Sequence, residues 1–284
     1  MTTVSPSSAA QAARAALARR LVGLRKDAGL RAFEVAALCG WHKSKASRIE
    51  NCRTLPSDAD IRAWCRACDA DEHSEEDLIA ESRTADEMYQ EWRRLHRGGI
   101  KAFQESVVPL YQRTRVFRVY CSNVVPGLLQ THPYATALLS AISTFQGTPN
   151  DAADAATARL DRSRVIYEGD HRFVLLAEEA VLRYKIGSPE VMAGQLGKLL
   201  ELMSLPSVAL GIIPLTAPRA IWPLETFMVF DHERVLVETL SAEIAITRPS
   251  EIAVYAKAFG ELQQLAVFGP LARALIRAAI EALG

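Results

Sequence analysis

The chain has no excess of either charge and no long apolar segment. Its 284 residues include 33 Lys and Arg and 33 Asp and Glu, so the formal net charge is zero at pH 7. No uninterrupted apolar run approaches the ~20 residues that a membrane-spanning helix needs. The first residues also lack the basic start and apolar core of a secretory signal. We therefore expect a cytoplasmic protein with no membrane partner.

Recognisable catalytic patterns are also absent. The six His are scattered singly, and none belongs to a zinc-protease, esterase or phosphate-loop pattern. Glu178 and Glu179 are adjacent, and neighbours on a strand point to opposite faces, so no paired-carboxylate mechanism is visible. We expect neither an enzyme nor a cofactor. A catalytic C-terminal domain remains an alternative.

Cysteines are few, but their spacing needs an interpretation. Cys65 and Cys68 form a CxxC motif, and Cys39 and Cys52 precede it, which leaves a zinc site or a redox-sensing thiol open. Structural zinc sites usually pair two close couplets, whereas Cys39 and Cys52 are far apart in sequence. We favour core packing, since a free Cys behaves as a small buried hydrophobe, and we expect the same of Cys121. No metal is predicted.

The distribution of charge is more informative than its total. Residues 1–68 carry 12 basic and 5 acidic side chains, residues 69–92 carry 1 and 10, and residues 93–284 carry 20 and 18. A basic first segment favours phosphate binding, and an acidic segment after it would be repelled from a duplex. The length suits two domains. We expect an arm at 1–11, a DNA-binding domain at 12–70, an acidic helical linker at 71–98 and a second domain at 99–284.

The segment 31–52 has the layout of a helix-turn-helix. Apolar residues from Phe33 to Leu38 precede Gly40, and Ala46 and Ile49 follow at helical spacing. Such a motif places its second helix in the major groove of DNA. We predict DNA contacts from its polar face and from flanking basic residues, namely Lys43, Ser44, Lys45, Ser47, Arg48, Arg53 and Arg31.

The stretch from Gly29 to Pro56 resembles the XRE/Cro/C1-type repressor-like regulators, which carry the run Ser-Arg-Ile-Glu-Asn at residues 47–51. The resemblance implies a five-helix, mainly α domain that binds double-stranded DNA. Two positions depart from the family pattern. Ala32 stands where a phosphate-binding Gln is common, and Cys52 stands where a Gly usually closes the second helix.

The remaining sequence predicts an α+β domain with a mostly antiparallel sheet. Strands are expected at 115–120, 172–177, 207–213, 226–230 and 234–239, the last two as a hairpin. Helices are expected at 101–113 and after Thr131, Ser188, Ser250 and Pro270, and a long helix from Ser74 towards Arg97.

This second part resembles the C-terminal domain of actinomycete regulators of the WhiJ-like, antitoxin-like type. The resemblance rests on Tyr120, on the segments 125–131 and 134–135, on 177–183, and on 191–201. It implies a regulator often paired with a small partner protein encoded nearby, and no established reaction. This chain has the segment 217–223 where the family usually has a Gly-rich one. We predict effector or partner contacts at Trp222, Ile221 and Arg219.

Together these patterns predict a sequence-specific transcriptional regulator that acts as a homodimer. Two half-sites one helical turn apart would raise affinity and specificity. We assign dimer contacts to the two C-terminal helices, whose stripe contains Leu262, Leu265, Leu271, Leu275 and Ile276. A protein-interaction adaptor without specific DNA binding is the alternative.

Overall fold

The computed structural model describes residues 6–283, without the side chains of residues 6–12, 84, 86–91 and 93–94. The chain divides into two compact units, Met1–Gln90 and Glu91–Gly284. The boundary falls within the segment 71–98. No helix among the described residues is both long and apolar enough to cross a membrane.

Five helices build the first unit, as the sequence predicts. They are α1 (Pro6–Asp27), α2 (Ala32–Leu38), α3 (Lys43–Glu50), α4 (Asp58–Ala67) and α5 (Glu72–Met88). Helix α1 starts within the predicted arm, because Pro6 suits a first helical position and the Ala-rich sequence after it favours a helix. Residues 1–5 of that arm lie outside the described residues.

Trp64 lies at the centre of the first unit. Its side chain is buried among residues of α1, α2 and α3, and its indole Nε1 donates to the carbonyl oxygen of Leu21 at 3.0 Å. Val35 and Ala36 provide the buried face of α2, while Phe33 and Leu38 are exposed. Part of this apolar run therefore faces outward, because a helix this short buries only one narrow face.

Helix α5 also belongs to this unit's core. Leu78 and Ile79 are buried against it, and the Ser82 hydroxyl donates to the carbonyl of Pro56 at 3.0 Å. The acidic segment is therefore packed against this unit as far as Ala85, rather than being a free spacer. The helix starts before Ser74, since the carboxylate of Asp71 accepts from the Ser74 amide at 2.7 Å.

The second unit combines helices and strands. After β1 (Tyr89–Glu91), at the boundary of the units, come α6 (Trp92–Leu95), α7 (Ile100–Ser106), α8 (Val108–Arg113), β2 (Val116–Cys121), α9 (His132–Gln146), α10 (Ala152–Arg162), β3 (Arg172–Glu178) and α11 (Pro189–Leu202). They are followed by β4 (Val208–Ile213), β5 (Phe227–Phe230), β6 (Arg234–Glu238), β7 (Ala242–Ile246), α12 (Pro249–Leu265) and α13 (Gly269–Glu281).

Strands β2 to β7 form one mixed sheet in the order β7-β6-β5-β2-β3-β4. The pairings from β7 to β2 are antiparallel, and β3 runs parallel to both β2 and β4. This confirms the predicted α+β class. One face of the sheet packs against α8, α9, α11 and α13, and the main apolar core lies between them. On the opposite face of the sheet, Tyr255 and Phe259 of α12 contact Phe227.

The sequence patterns missed three strands or helices, and they misjudged two helices. The helix predicted from Ser74 towards Arg97 was wrong in its second part, because it ends at Met88 and the unpredicted β1 follows. Strand β7 and helix α10 were not predicted; α10 is rich in Ala and lacks an apolar stripe of large residues. The helix predicted at 101–113 is two helices that meet at Val107. The break has a local cause, since Pro109 lacks an N–H to continue the helical ladder and its ring clashes with the carbonyl four residues earlier, so it is tolerated only in the first turn of a new helix.

Candidate nucleic-acid interface

A left-handed glycine and a capping histidine set the start of α3. Gly40 has φ +70°, the conformation that ends α2 and that glycine adopts without cost. His42 then serves as the N-cap, its ring accepting from the backbone N–H of Ser44 at 3.3 Å. The turn between these residues separates α2 from α3, as the helix-turn-helix pattern predicts.

The outward face of α3 is polar and accessible. Lys43, Ser47, Arg48 and Asn51 are exposed and Ser44 is half-buried, and their spacing places them on one side of a helix. Asn51 was missed as a candidate contact, although it ends the Ser-Arg-Ile-Glu-Asn run. This face offers hydrogen-bond donors and acceptors of the kinds that read base edges and phosphates.

The opposite side of α3 is fixed by two ion pairs. Arg25 of α1 donates through Nε to Glu50 at 2.5 Å and through Nη1 to the carbonyl of Leu30 at 2.8 Å. Lys45 donates through Nζ to Asp60 of α4 at 2.6 Å. The helix is therefore held to α1 and α4, while its outer face makes no such bond to another helix of the described unit.

Lys45 differs from the other predicted DNA contacts. Its ammonium is paired with Asp60 and lies 4.5 Å from the centroid of the Trp41 ring. Burial alone would raise the pKa of the Asp60 carboxyl, but hydrogen bonds from Lys45 and Ser57 outweigh it and lower the pKa. Lys45 thus has an acidic partner that Lys43 and Arg48 lack among the described residues.

Arg31 and Arg53 flank the pair of helices. Both side chains are exposed. Arg31 is the N-cap residue of α2, and its backbone N–H donates to Glu34 at 2.6 Å. Arg53 follows the end of α3, where its backbone N–H donates to the carbonyl of Arg48 at 2.8 Å. Backbone bonds thus set both positions and leave the two guanidinium groups accessible.

The end of α3 has a strained residue. Cys52 has φ +56°, in the left-handed region that costs a residue with a Cβ about 1–2 kcal/mol. Cys52 therefore adopts the left-handed conformation that the usual Gly of the repressor-like pattern would adopt, but at an energetic cost.

The remaining cysteines of this unit are packed. Cys65 and Cys68 are buried in the core, and burial is the main cause that raises the pKa of each thiol to about 11. Burial also raises the pKa of the Cys39 thiol. Among the described residues, no group of His, Cys, Asp and Glu is arranged to hold a metal ion. These environments are those of inert core thiols.

The predicted effector segment lies in the loop between β4 and β5. Trp222 is 70% exposed and Ile221 is half-buried. Arg219 instead makes a two-pronged ion pair with Glu178, with Nη1 donating to Oε1 at 2.8 Å and Nη2 to Oε2. Its guanidinium therefore anchors the loop, and Trp222 is the large apolar side chain that the segment leaves exposed.

Both acids of the Ala-Glu-Glu-Ala segment hold this loop. Glu178 also accepts from the Tyr120 hydroxyl at 2.8 Å, and Glu179 accepts from the backbone N–H of Leu215 at 3.0 Å. The two carboxylates lie at the end of a parallel strand and diverge to different partners. They are structural groups in this arrangement.

Most of the apolar stripe predicted to form the dimer is buried in the core of the second unit itself. Leu262 and Ile276 are fully buried, Leu265 and Leu275 are half-buried, and Leu271 remains 64% exposed. The sequence periodicity of α12 and α13 thus reports packing within one chain, because the same stripe cannot also face a second copy.

Comparison with known proteins gives two family matches. The family described as "Domain of unknown function (DUF5753)" matches residues 104–278, and the helix-turn-helix domain family matches residues 16–78. The second match confirms the helix-turn-helix prediction and with it a DNA-binding domain. No curated protein matches the chain.

A solved structure is also similar to the chain, at a low level. It is the structure of TrmBL2, described as an archaeal chromatin protein that shows a novel mode of DNA binding. The alignment covers 87% of this chain and 98% of that one, with 13% identity and a TM-score of 0.31. A score this low supports no conclusion about fold or function.

Proposed function

The chain belongs to the family defined by the DUF5753 domain of unknown function, and from that premise we propose that it is a sequence-specific transcriptional regulator, a cytoplasmic homodimer. The observation that carries the proposal is α3, whose polar face is free while its inner side is fixed by Arg25–Glu50 and Lys45–Asp60. A recognition helix needs this combination, because base contacts require a helix of defined orientation with donors free to reach the groove.

Different residues are assigned different tasks. Arg48, Lys43, Ser44, Ser47 and Asn51 contact base edges or nearby phosphates from the groove. Arg31 and Arg53, at the two ends of the helix pair, contact phosphates only. Phosphate contacts position the protein on any sequence, whereas base contacts create the preference for an operator.

The test is a comparison of Arg48→Ala with Arg277→Ala. Arg277 is exposed on α13 of the other unit, so its removal matches the change in charge. We expect Arg48→Ala to weaken binding to a selected operator by about 1–3 kcal/mol more than to random DNA, and Arg277→Ala to weaken both slightly and equally. Binding is measured by gel shift after selection of the operator from a random library.

One outcome would reject this function, and two others would reject parts of it. Failure of the selection to enrich any sequence, with DNA retained only at low salt, would favour the protein-interaction adaptor. Equal losses on operator and random DNA would assign Arg48 to phosphate. A monomer in sedimentation that still protects two half-sites would reject the homodimer, for which symmetric half-sites remain the argument.

A sensing role for the second unit is the finer part of the proposal. The resemblance to WhiJ-like, antitoxin-like regulators supports a small partner protein encoded nearby, and the exposed Trp222 supports a contact surface, since exposed Trp is enriched at interfaces. Trp222→Ala should leave the melting temperature nearly unchanged, because the ring is 70% exposed, and should abolish binding of the neighbouring gene's product. Retained binding would exclude this surface.

A further inference from the structure

A cavity of about 360 Å³ lies in the second unit, where α10, α11 and the segment 128–132 meet. Cavities that bind small organic molecules have volumes of about 300–1,000 Å³. At the packing density of protein interiors, this one has room for about 10–15 non-hydrogen atoms. The cavity is therefore of a size that suits a small organic ligand.

The inner wall of the cavity is apolar. Leu128 and Leu202 line it and are buried, and Leu160 of α10 lines it and is half-buried. Water next to such a surface is displaced favourably by the apolar part of a ligand, because the transfer of apolar surface out of water lowers the free energy. The inner wall thus suits a hydrocarbon or aromatic body.

Two buried amide side chains fix the walls of the cavity relative to one another. Gln130 lines the cavity, and its Oε1 accepts from Nη1 of Arg159 on α10 at 2.7 Å. Gln195 of α11 donates through Nε2 to the carbonyl of Leu129 at 2.9 Å and accepts from the backbone N–H of Thr131 at 2.7 Å. Both helices are therefore bonded to the segment between them. A cavity with fixed walls is preformed, which reduces the entropy lost on binding.

The rim of the cavity is basic. Lys198 of α11 and Arg164, which follows α10, line it together with the exposed ring of His132. Asp161 is the one acid among the described residues that line it. The Lys198 ammonium lies 5.8 Å from the centroid of the Tyr167 ring, which also lines the cavity. The charges at the rim therefore favour an anionic group on the ligand.

The acids that pair with these two cations are replaceable. Lys198 donates through Nζ to Glu201 at 2.7 Å, and Nη2 of Arg164 lies 3.3 Å from Asp161. The side chains of Glu201 and Asp161 are 65% and 59% exposed. Ion pairs with such exposed partners contribute little to stability, so a ligand can take over the N–H groups at small cost.

We propose that this cavity binds a small amphiphilic anion, a molecule with a compact apolar body and one carboxylate or phosphate head group. The apolar body lies against Leu128, Leu160 and Leu202. The head group accepts hydrogen bonds from Lys198 and Arg164 at the rim. Neither part suffices alone, because the body without the anion leaves the cations with their weak partners and the anion without the body leaves the inner wall in water.

Isothermal titration calorimetry on the full chain tests the proposal. The probes are octanoate, octyl phosphate and naphthoate, with octylamine and naphthylmethylamine as cations on the same bodies and acetate as a head group alone. We expect at least one of the three anions to bind at least about tenfold more tightly than acetate and than the amine with the same body, as hydrogen bonds between charged groups imply. No binding of the three anions, or equal binding of the matching amine, would overturn the proposal.

Removal of the two cations tests the rim. Lys198→Met/Arg164→Met should weaken binding of the best anion by at least about tenfold, since each cation supplies a charged hydrogen bond. The matched control is Lys257→Met/Arg277→Met, which removes two exposed charges of α12 and α13 that do not line the cavity. This control should keep the affinity of the parent.

A variant that fills the cavity tests the inner wall. Thr157 is an exposed residue of α10 that lines the cavity, so the indole of Thr157→Trp should occupy it and abolish binding. Ala153→Trp is the control, because Ala153 is exposed one turn earlier on α10 and does not line the cavity. If Thr157→Trp fails to fold, the double variant of the rim decides. Unchanged affinity in either folded variant would reject this site, and the measurement without DNA is independent of the proposed regulation.

Discussion

Arg25 on α1 and Glu50 on α3 are joined across 2.5 Å, with only 13% and 15% of their side chains exposed. Exposed ion pairs contribute little to stability because water and salt screen them. This pair is mostly shielded, and Arg25 also binds the carbonyl of Leu30, which ties the entry to α2 to the end of α3. One arginine therefore helps to set the orientation of the recognition helix.

We predict that Glu50→Gln lowers the free energy of unfolding of the first unit by about 2 kcal/mol. This is the size of loss expected when one partner of a shielded, charged hydrogen bond becomes neutral. Urea unfolding followed by tryptophan fluorescence, to which the buried Trp64 contributes, measures it. Lys26→Met is the control, because Lys26 is the exposed neighbour of Arg25. A loss no larger than that of the control would show that the pair does not hold α3.

Lys45 is expected to behave as a structural residue rather than a DNA contact. Lys45→Met keeps an apolar stem over Trp41 but removes the ion pair with Asp60, so we expect a loss of about 1 kcal/mol in stability and no change in the preference for operator over random DNA. Paired unfolding and gel-shift measurements check it. A lost preference at unchanged stability would mean that Lys45 leaves Asp60 to read a base.

Cys52→Gly should stabilise the first unit. Glycine adopts φ +56° without the conformational energy that cysteine pays there. Its greater freedom in the unfolded chain offsets part of this gain. We expect a net increase of about 0.5–1 kcal/mol in the free energy of unfolding. Thermal unfolding of the variant measures the gain. Ser47→Gly in the body of α3 should instead lose about 1 kcal/mol. A loss at both positions would indicate that the exit of α3 is not strained.

Glu243 should make the second unit less stable as pH rises. Burial, followed by the neighbouring Glu238, raises its pKa from 4.5 to about 7 in the folded protein, so the folded state holds a proton that the unfolded state releases. The stabilisation of the folded state by this bound proton is fully present below pH 4.5 and is lost as pH rises through about 7. Glu243→Gln should remove this slope and be more stable than the parent at pH 8.

Unfolding curves across this pH range measure the effect. Glu168→Gln, at an exposed position, is the control and should follow the parent curve. If the stability of Glu243→Gln still fell with rising pH as that of the parent does, the titration would belong to another group.

Short-range patterns predicted much of the local structure. The turn at Gly40, the N-caps Thr131 and Ser188, and the hairpin around Asp231 all follow from residues a few positions apart, because capping and turn preferences depend on local backbone geometry. The predicted outward face of α3 also appears, since apolar spacing alone assigns the buried side.

The missed features arise from partners that are distant in sequence. The residues next to Lys45 in sequence do not indicate that its ammonium pairs with Asp60, and those next to Arg219 do not indicate its ion pair with Glu178. The apolar stripe of α12 and α13 likewise does not indicate whether the core of the same unit or a second copy covers it. The amino-acid sequence by itself determined the helix-turn-helix, its polar face and the α+β class. Only the tertiary structure decided which charges are paired, held apart or left exposed, because the energy of a charge depends on distance and burial.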